Sequence, residues 1–167
     1  MFRAAVVQGV IGAVLLTGCN STMMDSEPAT QLLSVSPRGG ETGVAPTADL
    51  VLGFNRPMMA GMEQYLALHQ GGITGATMAM TCGWSSDQTM LTCRPNQQLS
   101  PGSRFTIHVG GGMMASDGQS MGMGRYGPIM GGQWATRGMM GDQSSMMGAG
   151  WQCCGGTYGM VFEFTTR

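Results

Sequence analysis

Apolar and polar positions alternate with period two in several short runs along the chain. Leu50, Leu52 and Phe54 fall on one side of the stretch Ala48 to Phe54. Phe105, Ile107 and Val109 fall on one side of Arg104 to Val109, with Thr106 and His108 on the other. Near the end, Met160, Phe162 and Phe164 alternate with Val161, Glu163 and Thr165. Such patterning predicts strands that turn one face to a core and the other to water. Leu32 to Val35 and Tyr65 to Leu68 add two apolar runs, the first stopped by Ser36-Pro37-Arg38-Gly39-Gly40. Turn residues punctuate every run, and no helical period of useful length competes beyond one turn between Met58 and Leu66. The pattern predicts an all-β fold, an antiparallel sandwich of short strands.

The segment Thr77 to Pro95 reads as a hairpin turning near Ser86-Asp87-Gln88. That centre sets Cys82 opposite Cys93 and Trp84 opposite Leu91. Directly opposed residues approach within disulfide range, so a Cys82–Cys93 bond is expected.

The first residues carry a different pattern. Arg3 is followed by an apolar run from Ala4 to Leu16, broken by Gln8, Gly9 and Gly12. About thirteen residues are too few to span a bilayer, and a positive start with a short apolar core marks a secretory signal. Leu16-Thr17-Gly18-Cys19 resembles the bacterial lipobox, which implies removal of residues 1–18 and acylation of Cys19. Asn20 after the cysteine leans toward the outer membrane under the sorting pattern of such lipoproteins. Residues 19–30 are polar and read as a tether, leaving 31–167 as one domain.

Composition then narrows the function. Net charge is −1 and every basic residue is arginine. Without lysine there is no Schiff-base chemistry and no phosphate-binding P-loop, and no basic patch calls for nucleic acid. His69 and His108 are the only histidines, and no paired-carboxylate, metalloprotease or nucleophile-elbow motif occurs. His108 falls on the outward side of its strand, where a solvated histidine is expected. The chain therefore reads as non-catalytic.

Five segments, taken in order, resemble the bacterial Ig-like module of surface-layer and cell-surface proteins. They are Ser36-Pro37-Arg38-Gly39-Gly40-Glu41-Thr42-Gly43-Val44, Leu50 to Met58, Leu91 to Val109, Ala115-Ser116-Asp117-Gly118-Gln119-Ser120-Met121, and Phe162-Glu163-Phe164-Thr165-Thr166. The resemblance implies an Ig-like sandwich over the mature chain, with a structural or protein-interaction role in the envelope. Two features depart from it. Phe105 stands where the family favours Tyr, and the interval between Met121 and Gly159 is far longer than the family uses.

That interval belongs to a Gly- and Met-rich insert at about 110–158. Glycine is costly to order, so an irregular excursion before the last strand is expected. Its sulfur-bearing residues are Met113, Met114, Met121, Met123, Met130, Met139, Met140, Met146, Met147, Cys153 and Cys154. Thioether and thiolate sulfur select Cu(I) or Ag(I) over hard cations, which makes a soft-metal site in the insert the alternative function. Packing against the sandwich, scavenging of oxidants and no role at all compete with it. Cys153 and Cys154 could also pair as a vicinal disulfide. On this reading the sandwich folds without metal, because the strand faces carry their own apolar core of Leu50, Leu52, Phe54, Phe105, Ile107, Phe162 and Phe164.

Overall fold

The computed structural model describes residues 30–142 and 144–167. Among these residues ten strands build two five-stranded sheets. In chain order they are β1 (Thr30–Ser36), β2 (Leu50–Phe54), β3 (Leu66–Gln70), β4 (Thr77–Met78), β5 (Met80–Trp84), β6 (Met90–Pro95), β7 (Arg104–Val109), β8 (Met121–Gly122), β9 (Gln133–Trp134) and β10 (Met160–Thr165). A four-residue helix, α1 (Arg137–Met140), lies in the insert, and a 3₁₀ turn at Met62–Tyr65 leads into β3. Sheet one runs β5-β6-β2-β1-β8 and sheet two runs β4-β3-β7-β10-β9. All pairings are antiparallel except β1 with β8.

The core lies where the period-two pattern puts it. Leu50, Leu52, Phe105, Ile107 and Phe162 are fully buried, and Phe54 and Phe164 nearly so. Aligned rows such as Leu68–Ile107–Phe162 run across β3, β7 and β10 on the inner face of sheet two. Phe105, in place of the tyrosine expected from the family, stacks on Phe164 with ring centres 5.7 Å apart. An apolar ring suits that dry position, where a hydroxyl would need a partner.

The predicted hairpin is present in the predicted register. Cys82 faces Cys93 and Trp84 faces Leu91 across β5 and β6. The two cysteines are joined by a disulfide, with Cα atoms 4.0 Å apart.

Two sequence expectations are corrected. The insert is not merely an irregular excursion: β8 extends sheet one beside β1, and β9 extends sheet two beside β10. Nor do the strands supply the core alone. Met113, Met121, Met123 and Met130 from the insert are buried in the same cluster as Leu50 and Phe162. The physical reason is shape, since flexible thioether chains fill the irregular space left between twisted sheets.

Candidate functional site

Sheet two is covered on both faces, and its outer cover creates the most unusual chemistry of the described residues. Across β3, β7 and β10 the outer face carries the row Ala67–His108–Val161 and the adjoining row His69–Thr106–Glu163. Of these, all but Glu163 are buried. A second apolar cluster lies on this face, formed by Ala67 and Val161 with Ile73, Ala135, Met140, Met146 and Tyr158. Four of its seven members come from the insert, so the insert is the roof of this face.

His108 is therefore fully buried, not solvated. Local alternation was read correctly; what it cannot show is a segment some forty residues downstream folding back over the outer face. Trp151 lies on the His108 ring with centres 4.6 Å apart and meets Tyr65 edge-on at 6.1 Å. His108 donates Nε2–H to the carbonyl of Tyr158 at 2.6 Å. His69 donates Nδ1–H to the carbonyl of Gly75 at 3.1 Å. Burial pushes the His108 imidazolium down to about 4, with backbone bonding opposing and the nearby His69 adding to it. Burial likewise holds His69 below its ordinary value. Both rings are neutral at pH 7.

The glycines make the roof possible. Gly110 donates to the carbonyl of Tyr65 and Gly111 to that of Trp151. A Cβ on Gly110 would come within 2.6 Å of the Trp151 indole. The run Gly110-Gly111-Gly112 is thus where the returning segment 150–153 lies flat on the chain.

The sulfur-bearing residues are shared among different surroundings instead of gathered into one cage. Met113, Met121, Met123 and Met130 lie in the main core, with Met114 and Cys153 packed against it. Met140 and Met146 lie in the second cluster, with Met147 packed against it. Met139 is partly exposed and Cys154 exposed. Cys153 and Cys154 are free thiols, not a vicinal disulfide. Desolvation, with Cys153 beside it, pushes the Cys154 thiol up, so it is a poor thiolate. Asp117, in the turn shared with the family, accepts from Arg56 at 2.6 Å and from the Gln119 amide at 3.0 Å. Cys19 lies outside the described residues.

A two-sheet sandwich of short, mostly antiparallel strands is the architecture of an Ig-like module. A family profile described as the bacterial Ig-like domain matches residues 25–126, and the chain belongs to that family. The match ends at Tyr126, so most of the roof and the last strand lie beyond it. Among solved structures, the chain is similar to surface-layer protein SbsC, domains 1–6, at 13% identity over 83% of this chain and 14% of that one, with a TM-score of 0.46. It is also similar to CopC from Methylosinus trichosporium OB3b at 14% identity, covering 83% and 93% of the two chains, TM-score 0.46. L,D-transpeptidase 1 of Mycobacterium tuberculosis is 17% identical over 57% of this chain and 40% of that one, TM-score 0.40. The chain spans less than a quarter of the surface-layer structures it resembles. No curated protein matches it.

Proposed function

We propose that the protein is a non-catalytic envelope lipoprotein. Its Ig-like module hangs from a membrane by a lipid on Cys19 and serves a structural or protein-contact role in the periplasm or at the cell surface. The observation that carries this reading is the Ig-like sandwich following an apolar leader that ends in Leu16-Thr17-Gly18-Cys19. The polar interval between Cys19 and the start of β1 at Thr30 is long enough to hold the domain clear of the headgroups. Both histidines are roofed over, so neither is presented to a substrate as a general base. One acyl chain binds a bilayer only marginally, whereas the two or more of a lipoprotein anchor it stably.

Fractionation of cells expressing the protein tests this. The native chain is expected with the membranes, and Cys19→Ser is expected as soluble or unprocessed protein. A Cys19→Ser chain that still fractionates with membranes, with no loss of incorporated lipid, would overturn the anchor.

A further inference from the structure

Two imidazole nitrogens on the roofed face of sheet two have no partner. A carbonyl oxygen can only accept, so the bonds to Gly75 and Tyr158 put the ring protons on His69 Nδ1 and His108 Nε2. His69 Nε2 and His108 Nδ1 are left as bare lone pairs, buried and unbonded. An unmet buried acceptor is costly, and two on neighbouring rings ask for a common cause. Histidines that ligate metals show this arrangement, with the far N–H held by a backbone carbonyl and the near nitrogen free.

The spacing narrows the ion. A metal about 2 Å from one nitrogen of each ring places the ring centres roughly 5–6.5 Å apart, the larger values belonging to open, near-linear angles. His69 and His108 have centres 6.2 Å apart. Zn(II) asks for four ligands, and among the described residues no group of three or more His, Cys, Asp or Glu is gathered to supply them. Monovalent d¹⁰ ions accept two imidazoles in a near-linear array and favour thioether surroundings. Those surroundings are present: Met140 and Met146 belong to the cluster on the same face. A cleft of about 440 Å³ beside Ala67 is lined in part by Met78, Met80, Met146 and Trp151, the last of which lies on the His108 ring.

We propose that His69 Nε2 and His108 Nδ1 together bind one Cu(I) or Ag(I) ion beneath the insert. The site differs from a cage of insert methionines, because its ligands come from the sandwich and the insert acts as its lid. It does not depend on the envelope anchor.

Ag(I) is the probe, since it needs no reductant and leaves the Cys82–Cys93 bond intact. The full chain carries C19S, C153S and C154S to remove competing thiols, and its histidines are labelled with nitrogen-15. One equivalent of Ag(I) is expected to move the His69 Nε2 and His108 Nδ1 resonances strongly while their protonated partners change little. The double variant H69N/H108Q keeps an amide N–H for each carbonyl but removes both lone pairs. Its Ag(I) affinity, measured by competition, is expected to fall by about 100-fold or more. Unmoved histidine resonances in the parent, or undiminished affinity in a folded H69N/H108Q chain, would overturn the site. If H69N/H108Q fails to fold, the resonances of the parent decide alone.

Discussion

His108 shows how one residue's setting carries energetic consequences. Its pKa is depressed to about 4 because burial disfavours the charged ring. The unfolded chain, with an ordinary value near 6.5, therefore binds a proton first as pH falls. Stability from this group is full above about pH 6.5 and is lost as pH drops toward 4, by about 3 kcal/mol in all. His69 acts in the same direction. Denaturant melts at pH 7 and pH 4.5 are expected to differ markedly for the native chain and less for H108Q. Equal pH dependence in the two would show that His108 does not titrate this way.

The methionines divide at the same scale. Met123 is fully buried in the main cluster, whereas Met139 is 36% exposed. Met123→Ala is expected to cost about 2–4 kcal/mol, lost contact plus cavity. Met139→Ala is expected to stay within about 0.5 kcal/mol. Urea titrations of the two single variants check this, and similar small losses for both would deny Met123 a core role.

Among the elements, the β5–β6 hairpin was the most legible in the chain. Turn residues fixed its centre, and the register followed, bringing Cys82 to Cys93. The bond closes a loop with a sequence separation of 11, so its removal in C82S/C93S is expected to cost about 2–3 kcal/mol. A denaturation midpoint unchanged by that double substitution would mean the hairpin is held by strand pairing alone. The alternating faces of β2, β7 and β10 were legible for the same reason, because a local period of two reports which side chains share a face. It does not report what lies above that face. Thr106, His108 and Val161 read as outward residues, and outward they point, but all three are buried, Val161 within a second apolar cluster. The roof itself was illegible because its glycines read as entropic cost. Their use at Gly110 and Gly111, close approach to Trp151 and Cys153, exists only once distant segments meet. The candidate histidine site was hidden for the same reason: His69 and His108 become buried neighbours, each with one unbonded nitrogen, only in the folded chain.

For the whole molecule, the buried core and the soft-metal site both depend on the Gly- and Met-rich segment being closed on sheet two. The buried soft-metal site needs its lid, and the non-catalytic module draws part of its packing from the same segment. Beside the β9–β10 pairing, the backbone bonds that hold it include Gly111 to Trp151, Ala135 to Gly159 and Tyr158 to Ala135, at 2.8–3.0 Å. Native-state hydrogen exchange of the metal-free full chain tests the closure directly. The amides of Gly111, Ala135 and Tyr158 are expected to be protected to within about tenfold of Ile107 in β7, as parts of one cooperative unit. Exchange of those three at unprotected rates, while β7 and β10 stay protected, would contradict the account by showing a sandwich with an open outer face.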